Sequence, residues 1–192
     1  MTRPDVPLAT FLVLLIAGLP VPNKASASGS TGNVNLLVGM KSNDYWAVGS
    51  QSSVGVDLTW GGHGWPILLN VYGNGSWGKG QNVFGDDVSE ASYETGIGLT
   101  KIWNIRAFHP HVGAGIAHAI RKIHIVQAEE SGEGTFQIGG TRPWIAVGGF
   151  WRFGSGMNFG VAMRRSELRS TYPSLGGTHV GFTLGWGWPA EP

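Results

Sequence analysis

The segment Thr178–Trp188 limits the possible folds more than any other stretch. It reads Thr-His-Val-Gly-Phe-Thr-Leu-Gly-Trp-Gly-Trp. Every second residue is large and apolar: Val180, Phe182, Leu184, Trp186 and Trp188. Between them stand His179, Gly181, Thr183, Gly185 and Gly187, all small or polar. Successive side chains of a strand point to opposite faces. One face is therefore greasy and ends in two tryptophans, while the other is nearly bare. A soluble sheet buries such a face under a second layer. A transmembrane barrel turns it toward lipid, with aromatic residues at the interfaces.

The same alternation recurs upstream. The pattern predicts strands over 34–41, 53–60, 66–74, 91–103, 108–120, 142–153 and 157–166, with 178–188 as the eighth. In 53–60 it has no fault: Val54, Val56, Leu58 and Trp60 oppose Ser53, Gly55, Asp57 and Thr59. Period two without a convincing helical period indicates an all-β fold. With 32 Gly, 9 Trp and 13% charged residues among 192 positions, composition favours strands and turns over a helical domain. Cysteine is absent, which excludes disulfides and thiol chemistry, and a net charge of +1 argues against nucleic-acid binding.

Loop lengths separate a barrel from a sandwich. The connections after the second, fourth and sixth segments are short: Gly61–Gly64, the Asn104 region and Gly154–Gly156. Those after the first, third, fifth and seventh are long: Ser42–Ser52, Gly75–Glu90, Arg121–Thr141 and Glu167–Gly177. Short turns at one end, long loops at the other and both termini at the short end form the outer-membrane barrel layout. Trp60, Trp65, Trp103, Trp151, Trp186 and Trp188, with Phe153, fall at the short-turn ends, where a periplasmic aromatic girdle belongs. Tyr45, Trp46, Trp77, Phe84 and Tyr93 fall toward the long loops and are candidates for the opposite girdle.

The N-terminus reads as a secretory signal. Arg3 precedes the apolar run Leu8–Leu19, and Ala25-Ser26-Ala27 is an A-x-A site. Cleavage after Ala27 leaves residues 28–192 as the barrel. It also removes Arg3, Lys24 and Asp5, bringing the formal net charge to zero.

Five stretches carry a family resemblance: Asn-Asp-Tyr-Trp at 43–46, Gly-Trp-Pro-Ile at 64–67, Lys-Ile-Trp at 101–103, His-Pro-His-Val-Gly-Ala-Gly-Ile at 109–116, and Gly-Gly-Thr-His-Val-Gly-Phe-Thr-Leu-Gly-Trp-Gly-Trp at 176–188. The chain resembles the small eight-stranded outer-membrane β-barrels of Gram-negative bacteria, the OmpA-like or OmpX-like barrel domains, in a largely uncharacterised branch. The resemblance implies an eight-stranded antiparallel up-and-down barrel in the cell outer membrane, with both termini periplasmic. It implies outer-membrane lipid and lipopolysaccharide as surroundings and the barrel-insertion machinery as a partner in biogenesis. It implies little about activity, because its motifs are structural. Barrels of this class end on an aromatic residue, whereas Pro189–Pro192 follow Trp188 here.

The expected lumen is lined by glycine and a few charges. Inward glycines leave room for water or for larger neighbours such as Tyr72 and Phe150. Lys41, Asp57, Glu94 and Arg164 are expected to form an ion-pair network, since buried charge needs a partner. The alternative is separate hydration of each. Outer-membrane lipid A deacylases use a His-x-Ser pair on a late strand. The matching stretch, Arg164-Arg165-Ser166, lacks the base, because arginine stays protonated. His109 and His111 share a face, but a polar filling of the periplasmic end fits them better than a metal. Arg121, Lys122 and Arg165 are candidate contacts to lipopolysaccharide phosphates, the first two at the start of the fifth-to-sixth loop. Glu129, Glu130 and Glu133 make that loop acidic.

The expectation is thus a monomeric, non-enzymatic barrel without cofactors, in a structural or narrow-pore role. Its rivals are a small-solute channel, a lipid A-modifying enzyme and a soluble periplasmic barrel holding an apolar ligand.

Overall fold

Eight strands pair in sequence order, each antiparallel to the next, and β8 returns to β1 to close the barrel. In the computed structural model they are β1 Ser30–Ser42, β2 Ser50–Gly62, β3 Leu68–Gln81, β4 Asp87–Ile102, β5 Phe108–Val126, β6 Glu133–Arg152, β7 Met157–Ser166 and β8 Gly177–Trp188. The described residues are 30–43, 48–62, 64–82, 84–126, 133–166 and 176–188. The expected signal peptide, Tyr45, Trp46, Glu129, Glu130 and the tail Pro189–Pro192 lie outside them.

The pairing register fixes the geometry. A path across the strands runs Gly32↔Trp60↔Leu69↔Leu99↔Ala114↔Ile145↔Arg165↔Thr178 and returns to β1 at Ser42. The path closes on Ser42, not on Gly32 where it began, so the sheet is sheared and its strands tilt, by about 40° to the axis. A row across the strands therefore climbs away from the termini as it passes from β1 toward β8. An eight-stranded barrel encloses a space just wide enough for side chains to fill.

The two faces differ as the alternation requires. Phe182 is 64% exposed and Leu184 53%, on the outside, while Lys41 and Arg121 are fully buried inside. Apolar outside and polar inside is the inverse of a soluble domain and suits a wall facing hydrocarbon. Val56 is 6% exposed although it points outward. It lines an outer groove with Leu58, Val71 and Ile97, so it sits low in a trough of the wall, among residues of the same wall.

The strands run further than their alternation suggests on the side away from the termini. The expected loop Gly75–Glu90 is mostly ladder, with Gln81 paired to Asp87 and only residues 82–86 between. The expected loop Arg121–Thr141 is mostly ladder too, since β5 pairs with β6 out to Val126↔Glu133. Polar and glycine-rich sequence on both strands hides this continuation, because above the apolar band neither face has to be greasy. β7 meets β6 only from Ser166↔Trp144 downward. The upper parts of β3–β6 thus stand as a four-stranded crest above the ends of β1, β2, β7 and β8. Pro143 sits where β6 parts from β7, a position at which a missing N–H breaks no second ladder.

Candidate functional site

The lumen is filled in layers, and each layer follows from residues that the alternation turns inward. Near the termini, Asn158 donates to Asn33 Oδ1 at 3.1 Å, and Arg152 bonds both Asn158 Oδ1, at 3.0 Å, and Asn33. His109 Nδ1 is 2.9 Å from Asn104 Oδ1, and its ring stacks on Phe150 at 5.1 Å. The His111 ring lies 6.0 Å from the same phenyl ring. His109 and His111 thus converge on an aromatic ring in the half nearer the termini.

At mid-height Arg164 pairs with Asp57. The Arg164 guanidinium lies 3.5 Å from the Tyr72 ring centroid and 5.0 Å from that of Trp144. Tyr72 donates its hydroxyl to Glu94 Oε1, and Ser166 Oγ donates to Glu94 Oε2 at 2.7 Å. Trp144, absent from the sequence-based expectation, is 1% exposed and fills the centre. Its indole N–H donates to the Ile116 carbonyl at 3.2 Å. Inward glycines make this possible: a Cβ on Gly98 would lie 2.5 Å from the Trp144 ring, and one on Gly96 would lie 2.3 Å from Tyr72. The glycine-lined face therefore accommodates large rings.

Higher up, Lys41 Nζ donates to Ser92 Oγ at 2.7 Å, and Ser92, Ser76 and Gln51 continue the chain. Arg121 Nε lies 3.0 Å from Glu90 Oε1, and Arg121 also donates to Asn43 Oδ1 at 2.9 Å. Val48, Val88 and Ile123 cap this layer with a buried apolar cluster. The expected four-residue network is therefore divided: Asp57 with Arg164, Glu94 with Tyr72 and Ser166, and Lys41 with Ser92. Glu90–Arg121 is an ion pair that the expectation lacked.

Arg121 requires a correction. It was expected at the start of a loop, reaching lipopolysaccharide phosphates, but it lies on β5 with its side chain wholly inside the barrel. The parity of β5 carries it there, since His109, Ala117, Ala119 and Ile123 share its inward face. Its signal was present in the sequence as an even spacing from Ala117 and Ala119, masked by assigning the strand end too early. Lys122, the next residue, faces outward and is exposed, and Arg165 faces outward and donates to Thr178 Oγ1 at 2.9 Å.

Between the lower and middle layers lies a cavity of about 50 Å³, lined among others by Asn70, Asn74, Asp57, His111 and His179. It has room for roughly three or four water molecules. Asn70 Oδ1, Asn74 Oδ1 and both ring nitrogens of His179 have no partner among the described residues and belong to residues that line it.

Outside, Trp60, Trp103, Trp151 and Trp186 are each 43–49% exposed in a ring at the end that carries the termini. Trp65, in the adjoining turn, is 54% exposed, and half-buried Trp188 covers Gly32. Trp77 and Tyr93 face outward toward the opposite rim. Phe84 belongs to neither ring: it is 85% exposed at the tip of the β3–β4 hairpin, beyond the wall.

Ser166, tested above as a nucleophile, is 1% exposed and bonded to Glu94 in the lumen.

No family model and no curated protein matches the sequence. Solved structures do match by shape. Neisserial surface protein A shares 10% identity at a TM-score of 0.51, with 83% of this chain and 97% of that one covered. Ail, the attachment invasion locus protein of Yersinia pestis, shares 10% identity at a TM-score of 0.51, covering 84% of this chain and 97% of its own. At such identity the likeness establishes the fold alone: that of the small eight-stranded outer-membrane barrels.

Proposed function

We propose that this chain is a non-enzymatic, structural barrel of the cell outer membrane with a closed lumen and periplasmic termini. The observation that carries the reading is the filling of the barrel by Trp144, Tyr72, the Arg164–Asp57 and Arg121–Glu90 pairs and the Val48–Val88–Ile123 cap. Between the alternatives of scaffold and narrow pore, this filling favours the scaffold. A conducting path needs continuous water, and the internal cavity holds only a few molecules. The absence of enzymatic activity is supported by the burial of Ser166 and by an arginine where a base would have to stand. Localisation is supported by the apolar outer wall, the tryptophan ring beside the termini and the shape shared with outer-membrane barrels. The barrel is proposed to act as a monomer, inserted by the barrel-insertion machinery and surrounded by outer-membrane lipid and lipopolysaccharide.

Planar-bilayer recording of the purified protein tests the closed lumen. The reading expects no discrete conductance steps at voltages where open porins conduct, and regular unitary steps would reject it. Fractionation with protease treatment of intact cells tests placement. Outer-membrane recovery with a protected C-terminal tag is expected, while a tag cleaved in intact cells or recovery in the soluble periplasm contradicts the reading. Release of a lipid A acyl chain by the protein would overturn the non-enzymatic assignment.

A further inference from the structure

The outer wall carries a trough in addition to its apolar band. Five strands contribute one cross-strand row: Val56↔Gly73↔Thr95↔His118↔Thr141. The next row toward the termini is Leu58↔Val71↔Ile97↔Ile116. The next row away from them contains Tyr93↔Ile120. The middle row, small or polar beyond Val56, is thus recessed beside a bulky aliphatic row on the side of the termini, while the row on its other side has bulk only at Val54, Tyr93 and Ile120. The result is an open groove of about 430 Å³ lined by both lower rows. A Cβ on Gly73 would meet nothing within 4 Å, so the trough is empty at that point.

Its orientation follows from the tilt of the strands. A row from β2 to β6 climbs away from the termini, by roughly 13 Å over four strand spacings. The low end, at Val56, Leu58, Val71, Ile97 and Ile116, is aliphatic and lies at acyl-chain depth. The high end has Thr95, His118 and Thr141, with His118 Nδ1 3.2 Å from Thr141 Oγ1. Above this end, on the same outer face, stand exposed Lys122 and Lys79 and half-buried His124. Lys122 follows His118 by four residues on β5, about 13 Å along the strand. Among the described residues, Asp86 and Asp87 lie at the β3–β4 tip, above Lys79, and bond Asn82 and Gln81, and Glu133 begins β6 opposite Val126.

We propose that this trough holds one acyl chain of a phosphorylated, multiply acylated lipid of the outer leaflet, with its polar linkage at Thr95, His118 and Thr141 and a phosphate at Lys122 and Lys79. Three chemistries are stacked in the order such a lipid presents them: hydrocarbon, ester or amide, phosphate. Bilayer hydrocarbon surrounds the low end, so an acyl chain is the occupant available there. The two lysines supply the complementary charge for a phosphate. Lipid A is the outer-leaflet lipid with this chemistry. The inference deepens the reading of the chain as an outer-membrane barrel and rests on it.

Native mass spectrometry of the full chain, released from membranes in mild detergent, tests the proposal, with purified lipid A and phosphatidylglycerol as added probes. The wild type is expected to retain one lipid A per barrel and to prefer it at least tenfold over phosphatidylglycerol. Gly73→Leu, whose Cβ would meet no heavy atom within 4 Å, puts bulk into the trough and should abolish retention while heat-resistant gel migration is unchanged. Lys79→Glu with Lys122→Glu, both on the surface, should lower retention at least tenfold with the fold intact. Equal retention by either variant, or equal retention of both lipids by the wild type, overturns the proposal. Dimer formation lost in Gly73→Leu overturns it in favour of a second copy. Recovery in the outer membrane without lipid retention defeats this inference alone, whereas recovery outside that membrane defeats the reading beneath it.

Discussion

Replacing Arg121 with Met discriminates sharply between a lumen and a rim position. Arg121 is fully buried, its Nε lies 3.0 Å from Glu90 Oε1, and it donates to Asn43. Methionine keeps much of the side-chain volume and leaves the Glu90 carboxylate buried without its cation. Breaking one side of a buried pair costs about 3–5 kcal/mol. That shifts the unfolding equilibrium by roughly two to three and a half powers of ten. An arginine contacting lipid phosphates from an exposed loop would contribute no more than about 1 kcal/mol. Urea unfolding of the refolded barrel in phospholipid vesicles, followed by tryptophan emission and gel migration, measures the difference. Adding Glu90→Gln should recover most of the loss, because the orphaned charge is then gone and the amide still accepts from Asn43 Nδ2. A cost under about 1 kcal/mol for Arg121→Met, or no recovery in the double variant, would refute the lumen assignment and the layered packing built on it.

Trp144→Ala should destabilise the barrel by about 3–5 kcal/mol, from the lost packing against Tyr72 and the Arg164 guanidinium, read by the same titration. Where that variant still folds, planar-bilayer recordings should still show no conductance steps, because the Arg121–Glu90 pair and the Val48–Val88–Ile123 cluster remain above it. Phe182→Arg places a cation in the middle of the outer wall and should cost about 2–4 kcal/mol, whereas the adjacent Thr183→Ser, inside the barrel, should cost less than about 1 kcal/mol.

The sequence carries the barrel well because its physical signal is simple. A wall between lipid and a side-chain-filled lumen must alternate, and it must stop alternating where hydrocarbon ends. β7 accordingly runs Met157–Ser166 as its alternation predicts, and β8 begins one residue before the expected Thr178. Where the wall leaves hydrocarbon the constraint lapses, so Gly78–Gln81 and Glu133–Thr141 continue as strand without a greasy face. The loop contrast used to favour a barrel was accordingly larger in the sequence than in the structure. Strand length also decided which residues pointed inward beyond the apolar band. Ending β5 at Ile120 hid Arg121 and its pairing with Glu90.

The candidate site was legible only as a set of faces. Parity places Asp57, Glu94, Lys41 and Arg164 in one lumen, but it cannot say which of them meet. That depends on shear, which offsets each strand from the last and brings Arg164 of β7 against Asp57 of β2. Parity turns Trp144 inward with Ala146 and Gly148, but its ring finds its place only once the register sets it against Gly98 and Tyr72. The outer trough was invisible for the same reason. Gly73, Thr95, His118 and Thr141 lie on four different strands, and only the ladder lines them up.

The most direct test of the whole account is accessibility along β8 in a bilayer. The chain has no native cysteine, so a single spin label can be attached at each of Val180, Phe182, Leu184 and Thr183 in turn. Collision rates with oxygen, which concentrates in hydrocarbon, should be high at Val180, Phe182 and Leu184 and low at Thr183. Low rates at the three apolar positions, or a rate at Thr183 equal to theirs, would mean that the apolar wall does not face lipid.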